Sequence, residues 1–568
     1  MLQNVPEKQM RRVRSLLAIA WLLLIASLIY DPISPLLTHP DTHWSLLRLD
    51  PRVFDPQRCH EVVTVQGQCF IERPYAIATR LFWGVIIGAV ICIVFLFGHE
   101  SWRRICPLSF FSQLPRLSGI QRQKQITNPR TGKIRLEGVK IDSNSWLGRH
   151  HILFQFGFLF VGLCLRMLFL DSHRLLLAAF LSATILASII VGYLFAGKTW
   201  CQYICPMGPI EVFYTGPRAL WGSPAHEKTT SKITQSMCRT MDETGKEKSA
   251  CVACKSACFD IDAERSYWDS LQKSERKFFH YGYVGLVIAF YLYYILYAGD
   301  LDYFYSGAWT HDTEQVQRLF TPGFHLFNIP IPIPRLIAVP LTFAAFTFGS
   351  YGSLCRLEKA YKAYCLHHDR EFSAAKVRHH VFSLSTFVTF NFLFSVGTHS
   401  TLELFPEWLE WSLQALVPLL SAAWLYRTWN RSLSLYHKES VASSLRRQLS
   451  KLEFDFTEFL EGRSLEDLKA EEVYVLAKVL PGFSQESKVR VYEGILREML
   501  EKKMTGSQES LELLTQVRVS LGIEEEVHFR LLSELGETYL ELLYGDRPLM
   551  PMSSLSTSSD SAFLASRT

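Results

Sequence analysis

Trp200-Cys201-Gln202-Tyr203-Ile204-Cys205-Pro206 closes an apolar run over residues 175–197 and opens a polar segment; the next apolar run begins at 278. Between them lie Cys238 and the stretch Cys251-Val252-Ala253-Cys254-Lys255-Ser256-Ala257-Cys258. A C-x3-C-P pair combined with C-x2-C-x3-C is the spacing of short loops that wrap iron–sulfur cubes, because four thiolates must converge on one cluster. Pro206 fixes the chain's exit angle after Cys205 and removes a backbone donor. Set between two apolar runs, the pattern reads as a cysteine-rich loop held against a membrane.

Working outward, apolar runs long enough to span a bilayer occur at 13–30, 78–98, 151–170, 175–197, 278–298, 331–352, 380–398 and 409–429. The first follows Lys8, Arg11, Arg12 and Arg14 and reads as a retained anchor rather than a signal peptide, since no small-x-small cleavage site follows it. The expected fold is an all-α integral membrane protein of about eight transmembrane helices in hairpin repeats. The membrane domain covers 1–430 and carries the expected iron–sulfur loops at 99–149 and 198–277. A soluble helical domain at 440–548 and a Ser-rich disordered tail at 549–568 follow. Lys and Arg then set the orientation. With the N-terminus inside, the inner stretches (1–14, 99–149, 198–277, 353–380) hold 32 of them and the outer ones (31–79, 171–174, 299–335, 399–407) hold 7, with no Lys outside. Both termini and both cysteine loops are thus expected to face the cytoplasm, or the topologically equivalent side. The net charge of +5 on 568 residues is too small to argue for nucleic acid, and 13 cysteines in so long a chain are not a small secreted disulfide scaffold.

The cysteine loop has an echo. Gly98-His99-Glu100-Ser101-Trp102-Arg103-Arg104-Ile105-Cys106-Pro107 ends the second run as Gly197-Lys198-Thr199-Trp200-Cys201-Gln202-Tyr203-Ile204-Cys205-Pro206 ends the fourth, and a Pro-Arg pair follows each, at 115–116 and 217–218. The unit is a hairpin of two spans followed by a Cys-Pro turn. The first copy has Trp102 where the second has Cys201, so it offers one ligand, Cys106. Paired membrane hairpins ending in C-x3-C-P, with a C-x2-C-x3-C segment after them, resemble the NosR/NapH group of membrane polyferredoxins over about residues 78–260. The resemblance implies a bacterial [4Fe-4S] electron-transfer protein serving a respiratory or metal-centre maturation system. Two departures stand out: the first repeat lacks its leading Cys, and Phe259, not Pro, follows Cys258.

The candidate metal ligands are Cys201, Cys205, Cys238, Cys251, Cys254 and Cys258, with Cys106 as a seventh. By analogy with two-cluster ferredoxins, Cys201 and Cys205 would serve different clusters, as would Cys254 and Cys258. One cluster is expected; a second needs an eighth ligand, for which Cys355 and Cys365 are candidates. The alternative is a zinc site from Cys238, Cys251, Cys254 and Cys258, which leaves the Cys-Pro repeat unexplained. Cys59 and Cys69 share the first outer loop with no other cysteine and read as a disulfide; Cys92 and Cys164 lie in apolar runs and read as buried thiols.

Histidines at span boundaries (His99, His150, His151, His280, His379 and His380 inside; His173, His311, His325 and His399 outside) are expected at headgroups or water. None lies deep in a span, so haem is not expected. Arg166, near an outer end, is expected to snorkel. Ile329-Pro330-Ile331-Pro332-Ile333-Pro334 favours an extended polyproline-like entry to a span. In the tail, apolar residues at helical spacing predict about five short amphipathic helices and no phosphate or calcium loop, a composition suited to docking a protein partner. The function that fits is a membrane iron–sulfur protein relaying single electrons between a cytoplasmic-side donor and an acceptor in or across the membrane, with room among the spans for a quinone. The residues name no donor, acceptor or enzyme substrate. The alternatives are an iron–sulfur redox sensor or maturation factor signalling through the helical tail, and a zinc-stabilised scaffold.

Overall fold

The computed structural model describes residues 5–45, 47–49, 63–127, 134–222, 238–241, 244, 246–255, 258–326, 329–368, 373–402, 406–452, 454, 456–479, 484–501 and 508–544. Among these described residues, seven helices are long and apolar enough to cross a membrane: Glu7–Ile29, Ala78–Phe97, Trp146–Leu170, Arg174–Leu194, Ser274–Ala298, Arg335–His367 and Ala374–Gly397. They suggest an integral membrane protein. An eighth run was expected. It does form a 23-residue helix, Glu407–Trp429, but Glu407, Glu410, Gln414 and its tryptophans keep it outside the set of seven.

The fifth span is the central one and the most enclosed of the seven. Gly282 and Gly285 lie on the face it turns to the sixth span. A Cβ at Gly285 would overlap the Phe346 carbonyl, so the bare backbone is what lets the two helices meet closely. Around this pair a core of Phe156, Phe279, Leu286, Tyr293, Ala338 and Phe343 is buried. The described residues up to Tyr436 form one compact unit and those from His437 a second. The second has its own core, with Val473 from Ala470–Val479, Tyr492 and Ile495 from Gln485–Glu501, and Val517 and Leu521 from Gln508–Leu521. The tail 549–568 lies outside the described residues.

Three local expectations change. First, His99, His151, His280, His325, His379 and His380 are buried rather than at headgroups. His379 is held by the Tyr267 hydroxyl and the Thr428 carbonyl, and His280 stacks on Phe382 at 3.8 Å. At His280 and His379 aromatic neighbours and backbone carbonyls supply inside the protein what water would supply outside it. Second, Arg166 does not snorkel. Its Nε donates to Asp171 at 2.7 Å, and its guanidinium lies over Trp83 and Phe290 at 4.2 and 4.5 Å. A carboxylate five residues on and two aromatic faces hold the charge in place. Third, Ile329–Pro334 is a β-strand paired antiparallel with Pro322–Leu326. Prolines at alternate positions leave every Ile N–H intact, so one edge of the strand can still pair.

Candidate metal centre

The fourth span ends at Leu194, and the chain turns at Gly197, whose φ is 73°. It then makes a π-helical turn over Trp200–Ile204 that ends at Cys205 with φ −57° and ψ 123°. Pro206 caps the helix Met207–Thr215. After the second span Gly98 (φ 83°) is followed by the helix His99–Ile105, Cys106 with φ −57° and ψ 122°, and the helix Pro107–Phe111. The two Cys-Pro corners thus share one backbone conformation. They differ just before it: Cys106 N–H donates to Trp102 O four residues back, Cys205 N–H to Trp200 O five back. The extra residue of the π turn is a device common at functional sites.

Cys201 and Cys205 are four apart, so they fall on one side of this turn. With Cys106 they line a single cavity of about 660 Å³, otherwise walled mainly by apolar side chains of the spans. Trp102, standing where a fourth cysteine would be, lines it too. This group offers three thiols. Burial pushes the Cys106 thiol up to about 12, reinforced by Cys201, and holds Cys205 well above its ordinary value. As free thiols they keep their protons, which a metal must displace.

The other four candidates meet elsewhere. The strands Arg239–Met241 and Glu247–Ser249 pair antiparallel, and Ala250 N–H continues the ladder to Cys238 O at 2.7 Å, setting Cys238 beside Cys251. Ala253, in the left-handed region at φ 47°, turns the chain so that its N–H donates to Cys251 Sγ at 3.3 Å. Asp262 N-caps the helix Ala263–Leu271, and the Asp262 N–H donates to Cys258 O at 3.1 Å. Cys238, Cys251, Cys254 and Cys258 thereby line one cavity of about 180 Å³. Neither C-x3-C pair is divided between the cavities, because each pair is presented from a single turn or loop.

Gly197 shows how tightly the loop is seated. A Cβ there would lie 2.6 Å from Cys254 Cβ and 2.8 Å from its Sγ. Gly197→Ala is therefore expected to displace Cys254. The left-handed backbone alone costs about 1–2 kcal/mol with a side chain, and iron should leave the variant faster than the parent under a chelator.

The two cavities share a wall. While Cys201 faces the three-thiol group, the next residue turns to the four-thiol group. Gln202 Nε2 donates to Cys258 Sγ at 3.2 Å and to Asp260 Oδ2 at 3.4 Å, and the Cys254 thiol donates to Gln202 Oε1 at 3.3 Å. Arg103 ties the same elements together. It donates to Glu211 at 2.5 Å, to Asp260 at 3.1 and 3.3 Å and to the Cys201 carbonyl at 2.9 Å, and its guanidinium lies 3.9 Å from the Phe259 ring centre. Phe259, which follows Cys258 in place of a proline, also accepts from His99 through its carbonyl. Burial pushes the Asp260 carboxyl up, but Arg103 and Lys198 outweigh it and hold it below the ordinary range. Burial dominates at Glu211, which rises to about 7 despite Arg103. Gln202, Arg103, Glu211 and Asp260 carry no spacing that would have singled them out.

The donor set fits an iron–sulfur cluster: four thiols on one cavity, with side-chain and backbone donors directed at sulfur. Among the described residues no three His, Cys, Asp or Glu side chains are grouped to hold one metal ion. A zinc ion needs each thiolate about 2.3 Å from a single centre; a cube seats each on its own iron, so its thiolates stand farther apart. A family model described as a 4Fe-4S binding domain matches residues 178–224.

That match supports a 4Fe-4S protein. The matched segment contains Cys201, Cys205 and the helix after them, and it fits a role in iron–sulfur electron transfer. No curated protein and no solved structure matches the chain.

Of the other cysteines, Cys92 and Cys164 lie in the second and third spans and line neither cysteine cavity. Cys355 and Cys365 lie in the helix Arg335–His367 and line neither. Cys69 is disulfide-bonded; Cys59, named with it from the sequence, is outside the described residues.

Proposed function

We propose that this protein is a membrane electron relay of the polyferredoxin kind, passing single electrons between a cytoplasmic-side donor and a lipophilic acceptor. The observation that carries the reading is the Cys201-Gln202 pair: one residue lines the membrane cavity, and the next hydrogen-bonds two thiols of the other cysteine group. Cys238, Cys251, Cys254 and Cys258 would hold one [4Fe-4S] cluster, and Cys106, Cys201 and Cys205 would hold a second, three-thiolate one. Such clusters supply one-electron redox chemistry. The protein's own part is to fix the spacing of the thiolates, exclude water and direct the Gln202 amide at sulfur, which tunes potential. The cavity of about 660 Å³ at Cys106, Cys201 and Cys205 is within the size range of small-molecule sites, and its apolar walls favour a quinone. Quinol-driven reduction of an artificial acceptor by the full, cluster-loaded chain tests this. It should fall sharply when Cys205 is replaced by Ser. A loaded protein that never exchanges electrons with quinol would favour the sensor or maturation role.

The proposed orientation puts both termini and both cysteine groups on the cytoplasmic side. It requires Glu407–Trp429 to cross the membrane. Residues 411–426 of that helix carry no charge, and its acidic residues and Arg427 lie at opposite ends, so a crossing leaves no charge at mid-depth. A C-terminal tag should be protected from protease in sealed right-side-out vesicles; digestion from outside would reverse the C-terminal half of the topology.

A further inference from the structure

A smaller cavity of about 80 Å³ lies against Cys201 and Gln202, lined among others by His151, Gln155, Lys255, Asp269, Lys273 and Arg276. Its polar groups are mostly donors. Arg276 is 4% exposed, and among the described residues it pairs with no carboxylate. Its Nη2 reaches only the Val212 carbonyl at 3.5 Å, its guanidinium stands 5.9 Å from the Tyr267 ring centre, and its Nε has no partner. Gln155 is 3% exposed, and its Nε2 is also without a partner. His151 Nδ1 is 3.1 Å from the Gly148 carbonyl and so carries the proton; Nε2 then accepts from Lys255 Nζ at 2.8 Å. That leaves Lys255 with further protons to donate. Among the described residues lining the cavity the one carboxylate, Asp269, is half exposed and stands 3.6 Å from Arg265. Three cations against one shared carboxylate leave the site with a net positive charge.

A buried guanidinium and a buried amide with unused N–H groups are costly unless something accepts from them. The ligand that satisfies all of these groups is a small oxyanion, acceptor on every side and negatively charged. His151 lies near the first turns of the third span and Arg276 at the start of the fifth, which sets the cavity at the depth where phospholipid phosphates lie. We propose that this cavity binds a phosphate group, held by Arg276, Lys255, Lys273 and the Gln155 amide. The phosphate is supplied either by an anionic phospholipid or as the free ion. The assignment stands on these residues alone and holds whether or not the cysteine groups carry iron.

The test uses the full chain, purified in detergent and stripped of lipid. In one arm inorganic phosphate is titrated by calorimetry. In the other the protein is placed in nanodiscs of phosphatidylcholine with or without phosphatidic acid, re-extracted, and its retained lipid counted by mass spectrometry. Saturable binding of either probe supports the site: phosphate alone assigns the free ion, retained phosphatidic acid the lipid. Lys273→Gln, on the exposed rim, should still fold and bind about tenfold more weakly, and Arg276→Gln should bind more weakly still. Absence of binding in both arms, or equal binding by parent and Lys273→Gln, would overturn the proposal.

Discussion

Cys258→Ser is expected to cost the protein the iron of its four-thiol cavity while leaving the membrane unit folded. Ser keeps the shape of the side chain but replaces a soft thiolate with a hydroxyl, a poor iron ligand. Cys258 also receives the Gln202 amide, so the same change leaves that donor without sulfur. Iron per protein should fall by the share this cavity holds, and one of the electron paramagnetic resonance signals of the reduced protein should vanish with it. Cys164→Ala, in the third span, is the control and should leave iron unchanged. If Cys258→Ser kept its full iron, the four thiols would not be a metal site.

Arg103→Met should have the largest effect on stability. It removes the cation hydrogen-bonded to Glu211 at 2.5 Å and leaves Asp260 with a weaker set of partners. Both carboxylates are buried. Breaking a buried ion pair from one side costs about 3–5 kcal/mol, because the remaining charge has lost its compensation. The variant should melt well below the parent in detergent and express poorly. Adding Glu211→Gln should restore part of the loss, since a neutral amide tolerates burial better than a lone carboxylate. A melting temperature equal to the parent's would show that the Arg103 network contributes nothing to the fold. Arg103 also holds the Cys201 carbonyl, so iron retention should drop along with stability.

The helical spans were legible because each is a long apolar run between charged loops. The candidate thiols were legible because cysteines at C-x3-C-P and C-x2-C-x3-C spacing have few other uses. Their division into four and three was not. Spacing alone allows Cys201 and Cys205 to diverge, and it is the π turn at Trp200–Ile204 that sets them on one side. Gly197 stood out in the repeat, but the reason for it, the Cys254 side chain packed against its backbone, is a contact between segments more than fifty residues apart. Gln202, Arg103, Glu211 and Asp260 look like ordinary polar residues of a loop and two helices; only tertiary packing makes them a network. The same holds for Arg166. Its distance from the span's end suggested escape to water, while Trp83 and Phe290, far away in sequence, provide the alternative.

The central claim is best tested by analysing the full-length protein, purified anaerobically from a host with intact iron–sulfur assembly. Iron, acid-labile sulfide and zinc would be quantified together, with absorbance and electron paramagnetic resonance recorded before and after reduction. Iron and sulfide in equal amounts, a visible absorbance that bleaches on reduction, and a paramagnetic signal from the reduced protein are the expected results. Zinc in place of iron, or iron without sulfide and without a redox-sensitive spectrum, would contradict the account.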